Sequence, residues 1–304
     1  MKISELLKAS GKPFPSIEIV PPLKGVSKSE LLDSVRPFLE FGPRFINVTS
    51  HRDELEFRPN PDGSFSRHLV RSRVSETAVC AAIRSEFGVE VVPHVICAGA
   101  SRDRIEGTLA DISFLGMENI LALRGDSLVG EKRFVPEPDG YRYASELVEA
   151  VKSSHPELCI GVGAYPEKHF EAPNLETDIL NLKKKVDAGA DYIVTQMFFD
   201  NSVFYAWREK CREAGITVPI IPGLKPLSTA RQVALLPESF SIDIPVELTR
   251  EITAHASDKA ACFEIGRDWC AAQCEDLLRN GVPAVHFYTM GRPDNVTEIL
   301  RRCF

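Results

Sequence analysis

The sequence has no apolar run approaching the roughly 18 residues that a helix needs to cross a bilayer, so no membrane span is expected. Its start, Met1-Lys2-Ile3-Ser4-Glu5, lacks the apolar core of a secretory leader, and a cytoplasmic protein is expected. Positive charge is in short supply: 36 Lys and Arg face 43 Asp and Glu, for a net charge of −7. That balance argues against a nucleic-acid partner, which would need a concentrated basic face. The eight cysteines contain no Cys-x-x-Cys pair. Cys80, Cys97, Cys159 and Cys211 stand alone, and Cys262, Cys270 and Cys274 share one helical stretch. Reduced and mostly buried thiols are expected. No His-x-His or His-Glu-x-x-His is present, so no metal site is expected. A strand followed by Gly-x-Gly-x-x-Gly is missing, as is Gly-x-Ser-x-Gly, which excludes the Rossmann dinucleotide fingerprint and the hydrolase nucleophile elbow.

What is there is alternation. With 44% hydrophobic and 26% charged residues, the balance is that of an ordinary globular chain. Eight short apolar runs recur: Ser16–Val20, Phe45–Thr49, Glu90–His94, Asn119–Leu123, Leu158–Ala164, Asp191–Gln196, Val218–Pro222 and Ala284–Tyr288. Amphipathic stretches separate them: Ser29–Glu40, Leu69–Glu86, Ser101–Leu115, Tyr141–Ser153, Asn174–Ala188, Ser202–Ala214 and a longer region from Thr229 to Asn280, with Asp294–Arg302 last. Alternating β and α units imply a parallel sheet with right-handed crossovers. Eight of them predict an α/β fold, a single (β/α)8 TIM barrel over residues 1–304 with extra helices and loops. Arg52–Arg67 and Leu128–Gly140 interrupt the spacing and are expected to be surface loops after strands two and four, as is Pro237–Pro245 between two helices.

In such barrels the chemistry gathers at the carboxyl ends of the strands. Strand one carries Glu18 within an apolar run. A buried carboxyl is costly unless paired or used, and burial would hold its proton near neutral pH, as a general acid requires. Strand two ends at Thr49, three at His94, and four at Arg124-Gly125-Asp126. Strand five gives Tyr165, then His169 and Glu171; six gives Thr195-Gln196; seven gives Lys225; eight gives His286 and Tyr288, with Arg292 beyond. Polar residues at the same end of every strand point to an enzyme or a ligand-binding barrel.

Taken in order, these strand ends resemble the catalytic barrel of the methylenetetrahydrofolate reductase family over nearly the whole chain. The resemblance rests on Glu18 before Pro21-Pro22, Val48-Thr49, Pro93-His94 and Leu123-Arg124-Gly125-Asp126. It continues with Tyr143-Ala144-Ser145, Ala164-Tyr165-Pro166-Glu167-Lys168-His169, Asp178 ahead of Asn181–Ala190, Thr195-Gln196-Met197-Phe198-Phe199-Asp200, Ile220–Gly223 and His286–Thr289. The length resembles the short bacterial type, which lacks a regulatory domain.

The resemblance implies FAD as cofactor, NADH or NADPH as co-substrate, and a folate small molecule as substrate. Hydride passes from the dinucleotide to FAD and then to methylenetetrahydrofolate, in ping-pong fashion. It implies Glu18 as the general acid and Asp126 as a charge beside flavin and pterin. FAD contacts would be Thr49, His94, Arg124, Gly125, Asp126, Tyr143, Ala144, Tyr165, His169, Asp178 and Lys185. Folate contacts would be Gln196, Tyr288 and Arg292. A homo-oligomer is expected. The sequence departs from the family pattern at Ser50-His51-Arg52-Asp53, Met197, Ser228-Thr229-Ala230 and Gly291. These departures bear on the nicotinamide and folate-tail contacts, and the choice between NADH and NADPH stays open. Two other readings compete: an aldolase-type barrel with a Schiff base on Lys225, and a flavin-binding subunit without chemistry.

Overall fold

A computed structural model describes residues 1–127, 133–289 and 294–304. Eight parallel strands close into a barrel: β1 (Phe14–Ile19), β2 (Phe45–Val48), β5 (Glu90–Ile96), β6 (Asn119–Leu123), β7 (Cys159–Ala164), β8 (Tyr192–Met197), β9 (Ile220–Leu224) and β10 (Ala284–Tyr288), with β10 pairing back onto β1. All eight expected strands are present, at bounds shifted by a few residues. Alternate residues face opposite sides of a strand. Ile17, Ile46, Val91, Val95, Ile120, Val162 and Ile193 therefore point outward into the layer shared with the helices. Phe14, Phe45, Val92, Leu121, Tyr192 and Ile221 point inward and fill the lower barrel.

The floor is sealed by a helix absent from the sequence reading, α1 (Ile3–Ala9). Its Ile3, Leu6 and Leu7 pack into the inner cluster. Their i, i+3, i+4 spacing was the available signal. Asn119 of β6 fixes the entry: its Oδ1 accepts from the Ile3 amide at 2.8 Å and its Nδ2 donates to the Met1 carbonyl at 2.9 Å.

The outer helices follow the sequence reading with instructive differences. The stretch expected as one helix over Ser29–Glu40 divides into α2 (Lys28–Val35) and a 3-10 turn, Arg36–Phe41, because Pro37 cannot donate to an α-helical ladder. Four helices keep close to expectation: α4 (Arg102–Phe114), α5 (Ala144–Ser154), α6 (Leu175–Asp187) and α7 (Asn201–Glu213). The expected loop Arg52–Arg67 is instead a two-stranded hairpin, β3 (Glu54–Pro59) with β4 (Phe65–Val70), so Leu69 and Val70 belong to a strand and α3 (Glu76–Phe87) starts later, capped by Ser75. Leu55 and Phe57 alternate with Glu54, Glu56 and Arg58, and Asp62-Gly63 supplies the turn. The polar composition hid that period-two signal.

Between β9 and β10 lie α8 (Arg231–Phe240), α9 (Val246–Ala254) and α10 (Lys259–Arg279). The loop expected from Pro237 starts later, because α8 continues through Pro237 to a left-handed Ser241, φ 53°. These helices close a small apolar cluster of their own over Met197 and Phe199. The last helix, α11 (Asp294–Cys303), packs on α10. The eight cysteines are free thiols, seven of them buried. Among the described residues no helix is long and apolar enough to cross a membrane, and no group of His, Cys, Asp and Glu is arranged to hold a metal ion.

Contact at Gly266 of α10 is close enough to be decisive. A Cβ there would lie 2.0 Å from the Leu227 carbonyl oxygen, so α10 rests directly on the backbone that follows β9. At Gly107 of α4 a Cβ would meet nothing within 4 Å. Gly266→Ala is expected to destabilise the protein by about 1–3 kcal/mol through overpacking. Gly107→Ala should stabilise it by about 0.5–1 kcal/mol through helix propensity. Urea unfolding of both variants checks the contrast.

Candidate active site

The inward positions change character above the apolar floor. Ser16 and Glu18 on β1, Asn47 on β2, His94 on β5 and His286 on β10 occupy the interior where other barrels keep aliphatic layers. Strand register places Glu18 beside Asn47 on one side and Tyr288 on the other. The Glu18 Oε2 lies 3.6 Å from His94 Nε2 and 3.8 Å from His286 Nε2. Among the described residues neither Nε2 has a hydrogen-bond partner, and nor does either side-chain polar atom of Asn47. Buried polar groups normally find partners, so this pit is built to receive polar atoms from outside the chain. Burial pushes His94 down to about 4 against the pull of Glu18, which keeps the imidazole neutral at pH 7. The His286 ring is fixed by a 2.8 Å hydrogen bond between its Nδ1 and Ser16 Oγ.

The mouth above this pit is shaped by β8 to β10. The Tyr288 hydroxyl donates to the Thr195 carbonyl at 2.6 Å, and its ring stands edge-on to His286 at 5.1 Å. Gly223 makes that possible, since a Cβ there would lie 2.6 Å from Tyr288 Cε2. A register shift lies between Val194 and Met197, and Gln196 Oε1 accepts from the Met197 amide at 3.0 Å.

Beside the mouth, at the carboxyl ends of β6 and β7, a cleft of about 380 Å³ opens. Seven of the sequence-predicted residues line it together: Arg124, Tyr143, Ala144, Tyr165, His169, Asp178 and Lys185. Lys185 Nζ donates to the Gly163 carbonyl at 2.5 Å, and burial lowers its pKa to about 8 against the opposing pull of Asp178. Asp178 is pushed up by burial, although it accepts the His169 amide at 3.2 Å. Burial, and then Arg124, hold His169 down at about 4. His169 Nδ1 accepts the Glu171 amide at 3.1 Å, so the neutral ring carries its proton on Nε2. Burial drives Tyr165 up to about 12. The Arg124 guanidinium pairs with Glu171 and lies 4.9 Å over the Phe134 ring. Glu171, Lys184 and Gly163 also line the cleft and carried no assigned role in the sequence. The signal for Gly163 was a small residue inside an apolar run, where it leaves room.

Of the remaining predicted residues, Gly125 and Asp126 follow β6 and Thr49 follows β2. Gly125 has φ +81°, and a Cβ would approach Ala98 Cβ to 2.7 Å, so the turn out of β6 requires glycine. Asp126 follows it in an exposed position, and its charge acts on Tyr165 of the cleft and on His51 across the mouth. Thr49 Oγ1 lies 2.9 Å from His51 Nε2. Lys225, buried at the end of β9, engages neighbouring groups. Arg292 lies outside the described residues.

Two depressed histidines link the site to stability. His94 and His169 both have folded values near 4 against about 6.5 when unfolded, so the unfolded chain binds more protons between those values. Stability is therefore complete above about pH 6.5 and declines as pH falls toward 4. Thermal melts over that range should show the decline, with a shallower slope in His94→Gln.

Comparison with known proteins agrees with this geometry. Residues 2–303 match the family model described as methylenetetrahydrofolate reductase. The 5,10-methylenetetrahydrofolate reductase of Escherichia coli is 32% identical over 289 residues, covering 95% of this chain and 90% of that protein. Methylenetetrahydrofolate reductase 2 of Saccharomyces cerevisiae is 33% identical over 311 residues, covering 99% of this chain and 49% of that protein. The chain thus spans about half the length of the yeast and plant relatives it matches. Among solved structures, an uncharacterized Clostridium thermocellum protein that binds two copies of 5-methyl-5,6,7,8-tetrahydrofolic acid superposes with a TM-score of 0.65, at 12% identity, over 100% of this chain and 98% of that one; the likeness is one of fold. With the E. coli relative matched along nearly its full length and the family model along nearly all of this chain, the chain belongs to the methylenetetrahydrofolate reductase family.

Proposed function

We propose that the chain reduces methylenetetrahydrofolate to methyltetrahydrofolate with electrons from NADH or NADPH, using bound FAD. The observation that carries this is the pairing of the polar pit around Glu18 with the cleft at the ends of β6 and β7, where Arg124, Lys184 and Lys185 stand with Glu171 and Asp178. Family membership supports the same assignment and sets the Lys225 aldolase alternative aside.

The cleft suits a dinucleotide cofactor on its own chemistry. Arg124, Lys184 and Lys185 supply positive charge, and His169 offers an Nε2–H. Gly163 keeps the floor open, since a Cβ there would crowd Leu123 Cδ2 at 3.1 Å. Arg124 and Lys185 would meet the pyrophosphate, with Tyr143, Ala144, Tyr165 and Asp178 enclosing the rest. Gly125, Asp126, Thr49 and His94 would border the flavin ring. When bound, FAD supplies hydride acceptance and donation.

The chain's own residues handle binding and the proton. Glu18 delivers a proton from its carboxyl to a folate nitrogen, which opens the five-membered ring to an iminium that accepts hydride. His94 beside Glu18 is held neutral at pH 7 and so gives the acid no charge to pair with. Asp126 favours the cationic iminium by its charge. Gln196, whose Oε1 is taken by the Met197 amide, would turn its amide NH2 to the pterin edge. Tyr288, held by Thr195, forms one wall of the mouth. Arg292 is retained as a folate contact.

Two outcomes follow. Glu18→Gln should still undergo flavin reduction by the dinucleotide, while the folate half-reaction slows by about 10²–10³-fold. Anaerobic stopped-flow of the two half-reactions measures both, and equal survival of the two makes Glu18 structural. FAD affinity should be level below about pH 8 and then weaken as Lys185 loses its proton, by up to about tenfold per pH unit. Fluorescence titration of the apoprotein checks this, and Lys185→Met should abolish the slope.

A further inference from the structure

The cofactor cleft is walled in part by a stretch with no helix or strand of its own. Residues 165–174 run from the end of β7 to the start of α6, and Tyr165, His169, Glu171, Ala172 and Pro173 of this stretch line the cleft. An irregular segment keeps its side chains in place only where its backbone groups are tied down.

One residue in the stretch breaks a backbone rule. Lys168 has φ +85°, in the left-handed region, where a Cβ is crowded and glycine is favoured. Among the described residues Ser241 is the other non-glycine with a positive φ, and it caps the end of α8, where that conformation is common. Lys168 ends no helix. Strain of this kind persists where the surroundings over-determine it, and it gathers at ligand sites. Here the surroundings are identifiable. The Lys168 amide donates to the Tyr165 carbonyl at 3.1 Å, closing a turn. Its Nζ donates to the Ala172 carbonyl at 2.8 Å and to the His169 carbonyl at 3.3 Å. The Ala172 amide donates to the same His169 carbonyl at 3.0 Å. The amine thus ties both ends of the His169–Ala172 turn.

His169 is the side chain that this arrangement fixes. Its amide donates to Asp178 of α6 at 3.2 Å, its Nδ1 accepts the Glu171 amide at 3.1 Å, and its ring stands edge-on to Tyr165 at 4.7 Å. With Nδ1 taken, the Nε2–H of the neutral ring is left for a ligand. Lys168 is not itself a wall of the cleft. A glycine at 168 would adopt the same φ without strain, but it would carry no amine.

We propose that Lys168 is a positioning residue for the cofactor: by clamping the His169 and Ala172 carbonyls across a left-handed turn, it sets His169 to donate from Nε2 to FAD. The inference rests on the FAD reading of the cleft given above. Two properties of Lys168 are separable. The backbone strain lowers stability and belongs to any residue with a Cβ. The clamp organises the cleft and belongs to the amine alone.

Fluorescence titration of the apoprotein with FAD, beside thermal melts of the same FAD-free proteins, tells the two apart. Lys168→Met keeps the strain and loses the amine, so FAD affinity should fall about tenfold and the melting midpoint by a few degrees. Lys168→Gly loses both. Its midpoint should stay within about 2 °C of wild type, while its FAD affinity falls by the same tenfold as in Lys168→Met. A merely structural lysine would give affinities that follow the melting points, with Lys168→Gly binding FAD as wild type does, and that result would overturn the proposal. In a His169→Ala background, Lys168→Gly should weaken FAD binding by less than about a further twofold, because its effect runs through that ring. A further tenfold loss there would also overturn it. Wild-type apoprotein that takes up no FAD would instead overturn the reading of the cleft, and this inference with it.

Discussion

On the proposed activity, the chemistry depends on one carboxyl, that of Glu18, held inside a barrel between two imidazoles. Glu18 stands 3.6 Å and 3.8 Å from two imidazole nitrogens, on strands whose register leaves no other place for it. An apolar layer would have been the cheaper filling for that level. The cost is offset below, where α1 and the inward aromatics seal a dry floor, and outside, where aliphatic strand faces meet the helices. The rigid scaffold allows orphaned polar atoms of Asn47, His94 and His286 to persist around the carboxyl.

The proposed activity also requires an anionic cofactor to come close without neutralising that carboxyl. Placement achieves it. Arg124 and Lys185 sit in the cleft at the ends of β6 and β7, tied to Glu171 and to the Gly163 carbonyl, while Glu18 sits in the barrel interior between two histidines. Gly125 lets the chain leave β6 sharply, with Arg124 lining the cleft and Asp126, two residues on, exposed.

The fold was legible because barrel strands are buried on both faces and read as continuous apolar runs, and all eight were found that way. The cleft was legible through its motifs: Arg124 and Tyr165 follow β6 and β7, Tyr143 and Ala144 open α5, and Asp178 and Lys185 lie on α6. What stayed hidden had other physical causes. The β3–β4 hairpin is exposed and rich in charge, so its alternation did not look like a strand. Helix α1 is short, and its apolar face has meaning only against a barrel floor formed by distant strands. Helix α8 runs through Pro237 because tertiary packing of Leu236 outweighs the missing hydrogen bond. Lys168 registered only as part of a motif, since nothing in one dimension shows its left-handed backbone or its hold on two carbonyls.

On the proposed activity, pit and cleft work as one redox site. The most direct measurement of this is an anaerobic titration of the purified, FAD-loaded wild-type protein, following flavin absorbance. NADH or NADPH should bleach the flavin. Methylenetetrahydrofolate should then restore the absorbance, forming one methyltetrahydrofolate per flavin. Protein that cannot be loaded with FAD, or reduced flavin that methylenetetrahydrofolate leaves bleached, would contradict the account.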